Sequence, residues 1–290
     1  MSFEEFVQAA WADHADQTEA VAQRLRDSLH HVTEADQVAP YAGLIAHVFG
    51  EHLGEWDAGI TLLHALRDRS AGHASALTLA VLARQEATLR HAAGDSPPFD
   101  GLDNDDRIAA LASAASMLAG RADWARAIAS FEQALTGAAD GLAHSSPANR
   151  ALAVAGNNLA AALEEKRDRN AEHIRAMLVA ARAGLSYWRI AGGWLEEERA
   201  GYRLARSCLQ ASEPAAAVQA ALNCLAVCEA NDAPAFERFF GHAALALAQR
   251  AAGDVAAFET SRQAARHWLE QVPQDERPWC DADLAELDGA

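Results

Sequence analysis

LASAASMLAGRADWARAIASFEQAL, residues 111–135, decides the fold class. Leu111, Ala114, Ala115 and Leu118 fall at offsets of three and four, one face of a helix, and the spacing predicts a helix over about 107–119. Trp124, Ala127, Ile128, Phe131 and Ala134 carry the same period through a second helix over about 123–137. The first pattern then returns. Gly156, Leu159, Ala160 and Leu163 echo it, followed by Gly201, Leu204, Ala205 and Cys208, and more weakly by His242, Leu245, Ala246 and Gln249. The steps are 45, 45 and 41 residues, which leaves room for two helices and their turns. One hairpin of helices cannot bury its own apolar face, so hairpins at a fixed period stack on one another. The expected fold is all-α, a solenoid of stacked antiparallel helical hairpins.

Residues 120–135, GRADWARAIASFEQAL, resemble the second-helix half of the tetratricopeptide repeat (TPR) consensus, and Leu111, Ala114, Ala115 and Leu118 its first-helix half. LGEWDAGITLLHAL, from Leu53, is a looser copy, the segment 201–225 a fair one, and the match elsewhere is poor. The steps here exceed the family's usual repeat, which implies longer helices or extended turns; on period alone, HEAT-like stacking is the alternative. The resemblance implies a superhelix whose first helices line a concave groove, and a function in binding a peptide or protein partner.

Composition agrees with helix. The chain of 290 residues has 72 alanines, 18 glycines and 8 prolines; alanine loses no side-chain entropy in a helix and lets helices approach closely. Ser2 with Glu5 reads as a capping box opening a helical run from Phe3 towards Val32, either one long helix or two. Thr33 is expected to cap the next helix, which carries Pro40 and runs to about Gly50. Further helices are expected at Trp56 to Arg69 and Ser75 to His91. GDSPPFDGLDNDD, Gly94 to Asp106, concentrates turn formers and is the expected boundary. The organisation is therefore 1–93 N-terminal hairpins, 94–106 acidic Pro/Gly loop, 107–271 TPR-like repeats and 272–290 a tail serving as cap or loose end, read together as one continuous solenoid.

Lys and Arg number 24 against 41 Asp and Glu, a formal charge of −17. The imbalance is uneven: 9 basic against 21 acidic residues through Ser145, then 15 against 20. Such a field repels phosphate backbones and anionic headgroups, so neither nucleic acid nor membrane is expected as a partner. The opening MSFEEFVQAAWADHADQ lacks the basic start and apolar stretch of a signal peptide, and no run approaches the ~18 apolar residues of a membrane span. A cytoplasmic protein is expected. Cys208, Cys224, Cys228 and Cys280 are too few and too irregular for a disulfide framework; Cys224 and Cys228, four apart, read as buried apolar thiols.

Catalytic signatures are absent: there is no Gly-rich phosphate loop, nucleophile elbow, HExxH or paired-cysteine motif. No catalytic residue and no cofactor is assigned, and an enzyme is the lesser reading. His30 and His31 lie together, and His47, Glu51 and His52 share a short helical stretch. His47 and Glu51, four apart, could reach one metal, but the reading taken is of caps and hydrogen-bonded partners, with no metal. The C-terminal half carries the candidate binding site. WLEEERAGYRLARSCL, from Trp194, places Arg199, Tyr202 and Arg206 on one helical face. Asn157 takes the register of Tyr202 one repeat earlier, with Asn158 beside it, and ERFFGH supplies Arg238 and His242 one repeat later.

Asn offers donor and acceptor together and Arg forks bind carboxylates, so these seven residues are expected to line the groove and to grip a peptide or protein bearing an acidic or carboxylate group. The competing readings are a small anionic-ligand sensor or enzyme using the same residues, a structural self-assembling module, and a solvated face on which Glu196, Glu197 and Glu198 pair with the arginines. YWRIAGGW, Tyr187 to Trp194, reads as core between repeats.

Overall fold

The computed structural model describes residues 2–72, 74–95 and 99–289. Among them are fourteen α-helices and no strand, and no helix is long and apolar enough to cross a membrane. The chain divides into two compact units, Met1–Ala155 and Gly156–Ala290. The Gly94–Asp106 stretch stands between two helices that pack on each other within the first unit; its Ser96, Pro97 and Pro98 lie outside the described residues.

In the first unit, α1 (Phe3–Asp13) opens on the expected capping box: Glu5 N donates to Ser2 Oγ at 3.1 Å and Ser2 N to Glu5 Oε2 at 2.7 Å. The helical run breaks after His14 and resumes as α2 (Thr18–Asp27). An ion pair of 2.7 Å between Arg24 and Asp13 holds the two together. α3 (Ala35–Ile45) is capped at Glu34 rather than Thr33: the Thr33 hydroxyl donates to Gln37 Oε1 at 3.4 Å, as its backbone N does at 2.8 Å. α3 continues into a π-helical stretch, Ala46–Leu53, which ends at Gly54 with φ +70°. Then come α4 (Trp56–Ser70), α5 (Ala76–Ala93), α6 (Asn104–Gly120) and α7 (Trp124–Gly137), each packed on the one before. Phe6, Tyr41, Phe49, Leu63 and Leu66 centre the core, and the buried Tyr41 hydroxyl is satisfied by donating to Leu25 O at 2.6 Å.

The division falls inside α8 (Pro147–Glu165). The second unit continues through α9 (Ala171–Ala191), α10 (Trp194–Gln210), α11 (Pro214–Ala230), α12 (Ala235–Ala251) and α13 (Val255–Leu269). From α9 to α13 consecutive helices pack in pairs. The tail is no loose end: a 3-10 turn, Arg277–Cys280, leads into α14 (Asp281–Asp288), which lies against α12. Trp188 of the YWRIAGGW segment is buried, while Tyr187 and Trp194 are half-buried.

Helices that carry the recurring sequence pattern share features of burial and ending. Ala115, Ala160 and Ala205 are all fully buried. The last position of the pattern accepts the same bond in three of its four copies: Asp123 N donates to Leu118 O at 2.9 Å, Glu213 N to Cys208 O at 2.9 Å and Asp254 N to Gln249 O at 3.0 Å. This is the six-to-one bond of a Schellman ending, which needs a left-handed residue just before the donor. Ala122 (φ 59°), Ser212 (φ 58°) and Gly253 (φ 81°) fill that position. The two 45-residue steps are reached differently: a connection over 138–146 separates α7 from α8, whereas α8 and α9 are themselves 19 and 21 residues long.

Only Gly253 suits its left-handed turn. A side chain there costs roughly 1–2 kcal/mol, partly offset by the extra freedom of glycine in the unfolded chain. Ala122→Gly and Ser212→Gly are each expected to raise stability by about 0.5–1 kcal/mol in denaturant titrations; a loss in both would show that these turns are not held left-handed.

Candidate functional site

The second unit contains a cleft of about 360 Å3 walled by α8, α10, α12 and the Arg277–Cys280 turn. α8 contributes Asn157 and Asn158, α10 Arg199 and Tyr202, α12 Phe236 and Phe240, and the turn Trp279. A second hollow of about 660 Å3 shares Arg199, Phe236, Glu237 and Trp279 with the first. The two form one trough with Trp279, 75% exposed, standing between them.

Four of the seven expected residues, Asn157, Asn158, Arg199 and Tyr202, meet in this cleft. The other three do not line it. Arg238 turns away, donating to Asp232 Oδ1 and to Ala233 O at 2.7 Å each and stacking over the Trp268 ring at 4.7 Å. His242 stands four residues further along that face, half-buried, and burial pulls its pKa below the usual imidazole range. The reason is register. The cleft takes Phe236 and Phe240 from α12, and a residue two places along a helix points about 200° away.

Arg206 lies on the expected face but is covered by the tail. Its two outer nitrogens donate to the two oxygens of Glu286 at 2.9 and 2.7 Å, a bidentate pairing. The Tyr202 hydroxyl donates to Asp283 Oδ1 at 2.7 Å, and burial followed by the Asp283 charge pushes its pKa above the usual range. Leu287 of α14 joins Phe239, Val272 and Cys280 in the core. Acids of the tail, Asp283 and Glu286, therefore engage Tyr202 and Arg206 of the stripe.

Both arginines of this face reach acids on other elements, Arg199 to α12 and Arg206 to α14. Arg199 Nη2 donates to Glu237 Oε1 at 2.6 Å, while the Arg199 side chain remains 57% exposed. Glu197 pairs with Arg189 at 2.8 Å, and Glu196 accepts from Gly193 N at 2.8 Å at the start of α10. Arg203 and Ser207 both bond Glu164, the latter at 2.5 Å, and burial still pushes the Glu164 carboxyl above its ordinary range.

Glu198 is fully buried behind the cleft and accepts from Cys224 Sγ at 3.1 Å. Burial, opposed by that hydrogen bond and reinforced by the Cys228 and Glu237 charges, pushes its carboxyl up to about 9. Behind the Arg199–Glu237 pair there thus lies a carboxyl that burial drives towards its protonated form. Cys224 and Cys228 are buried as expected, though Cys224 is a hydrogen-bond donor and not merely an apolar filler.

Sequence reasoning missed Phe236, Glu237, Phe240 and Trp279. One of them was within reach: the 41-residue step from Gly201 to His242 carries Arg199 onto Phe240, not onto Arg238. The arrangement offers an aromatic wall, amide side chains and one half-satisfied guanidinium, which is equipment for binding.

Among solved structures, the chain resembles BtubC (BKLC) from P. vanneervenii, with a TM-score of 0.51, 14% identity, and 92% of this chain and 91% of that chain covered. At that identity the likeness is one of fold. No family model and no curated protein matches the sequence.

Proposed function

We propose that this chain is a TPR-like helical-repeat scaffold that binds a peptide segment of a protein partner in the trough beside Trp279. The observation that carries the reading is the pair of adjoining hollows sharing Arg199, Phe236, Glu237 and Trp279. Two hollows that share a wall suit an extended chain better than a compact small molecule. The repeat register and its recurring helix ends support the solenoid part of the reading. Phe236, Phe240 and Trp279 suit an apolar anchor side chain, and exposed aromatics of this kind are enriched at binding hot spots. The Asn157 side chain, whose buried Oδ1 has no partner within the chain, suits the backbone of the ligand.

One carboxylate within reach of Arg199 completes the recognition. A small polyanion is the weaker occupant, because Arg206 is already bidentate to Glu286. Four buried cysteines without disulfides suit a reducing compartment such as the cytoplasm.

Peptides selected against the full chain are expected to lose about tenfold in affinity when Trp279 is replaced with alanine. The melting temperature should be unchanged, because Trp279 buries little of its surface. Selected peptides that bind Trp279→Ala as tightly as the parent would place recognition elsewhere and overturn the reading.

A further inference from the structure

Three histidines converge in the first unit, at the junction of α1 with the π-helical stretch. His14 stands at the C-terminal end of α1; His47 and His52 belong to Ala46–Leu53. Their ring centroids form a nearly equilateral triangle, 4.9 Å from His14 to His47, 5.0 Å from His14 to His52 and 4.7 Å from His47 to His52. One ring nitrogen from each lies within 4.8 Å of the others, and His47 Nε2 stands 3.1 Å from His52 Nε2. We propose that His14, His47 and His52 form a three-imidazole site for a divalent ion of the zinc class, with Glu51 fixing His47 from outside.

The backbone explains why the rings meet. On an α-helix, residues five apart point about 140° away from each other. In a π-helix the hydrogen bonds run over five residues, so positions five apart share a face, and such stretches concentrate at functional sites. The stretch is held by close packing: a Cβ at Gly50 would lie 2.7 Å from Met117 Sδ and 3.0 Å from Leu89 Cδ2. Its end is clamped by Arg121, which donates to His52 O at 2.8 Å.

Two of the three outward nitrogens are also held, as metal-binding imidazoles require. His14 Nδ1 donates to Trp11 O at 2.6 Å, and His47 Nδ1 faces Glu51 Oε2 at 3.2 Å. Both rings therefore turn Nε2, with its lone pair, towards the centre. Zinc–nitrogen bonds of about 2.0–2.1 Å in a tetrahedron set ligand atoms roughly 3.3 Å apart. The His47–His52 edge already has nearly that length, at 3.1 Å, and the His14 nitrogen lies within 4.8 Å of both. All three rings are half-buried, so an ion can enter and a fourth position faces solvent. Imidazole ligands select zinc and its late first-row neighbours over magnesium and calcium, and the acidic surroundings, 21 acidic against 9 basic residues through Ser145, attract a cation.

The test is calorimetric titration of the chelator-treated full chain with Zn2+, backed by the visible spectrum of the Co2+ form. One ion per chain is expected, with the d–d bands of a nitrogen-ligated tetrahedral ion and without the near-ultraviolet sulfur bands that the buried Glu198, Cys224 and Cys228 cluster would give. His14→Gln lies at a helix end and leaves the π-helical stretch intact; it should weaken binding about a hundredfold while circular dichroism and metal-free melting stay unchanged. Glu51→Gln keeps all three ligands and should weaken binding about tenfold. Absence of stoichiometric binding to the parent chain, sulfur bands in the Co2+ spectrum, or undiminished affinity in folded His14→Gln would each overturn the proposal.

Discussion

Gly156→Ala is expected to destabilise the second unit by about 3 kcal/mol, at the upper end of the usual cost of overpacking. A Cβ at Gly156 would lie 2.7 Å from Ala180 O, 2.7 Å from Gly184 N and 2.8 Å from Gly184 Cα. All three are backbone atoms, so none can swing aside, and α8 and α9 must separate. The crossing is tight from the other side as well: a Cβ at Gly184 would meet Asn157 Oδ1 at 2.6 Å. Gly43→Ala on α3 is the control, since a Cβ there meets nothing within 4 Å. It should gain up to about 1 kcal/mol from helix propensity alone. The same substitution thus takes opposite signs at two helical glycines. Equal stabilities of the two variants in denaturant titrations would mean that α8 and α9 do not cross where described.

Glu198→Gln is expected to stabilise the chain at alkaline pH and to flatten its pH dependence. With its carboxyl at about 9 in the fold against an ordinary 4.5, Glu198 holds its proton more tightly folded than unfolded. Its contribution is therefore complete below pH 4.5 and is lost as pH rises towards 9, at about 1.4 kcal/mol per pH unit. Over the whole window the loss is on the order of several kcal/mol. Glutamine keeps the acceptor for Cys224 Sγ and carries no titrating proton, so the variant should overtake the parent as pH rises. Melting curves between pH 5 and 9 decide it. Parallel slopes for parent and variant would show that Glu198 does not stay protonated.

The helices were legible because their signal is local. Offsets of three and four along Leu111–Leu118 and their echoes define the register that buries Ala115, Ala160 and Ala205. Side-chain assemblies were legible only where one helix supplied them. Arg199, Tyr202 and Arg206 share a face of α10 as read, but what covers Arg206 arrives 80 residues later, from Glu286. Trp279 reaches the cleft from a tail that carries no period at all.

The histidine cluster shows a second limit. His47 with Glu51 was the pair that α-helical spacing offered. The π-helical stretch pairs His47 with His52 instead, turns Glu51 into its hydrogen-bond partner, and brings in His14 from another helix. Nothing in the local pattern of Ala46–Leu53 separates five-residue from four-residue hydrogen bonding, and the neighbours it packs on at Gly50, Met117 and Leu89, come from 39 to 67 residues further along the chain.

The claim at the centre is that the trough beside Trp279 is where a partner peptide lies. Hydrogen exchange of the full chain, with and without a saturating selected peptide, tests it most directly. Protection is expected in Arg277–Cys280 and at the start of α12, around Phe236 and Phe240, with exchange in α1 to α7 unchanged. Protection confined to α1 to α7, or none near Trp279, would contradict it.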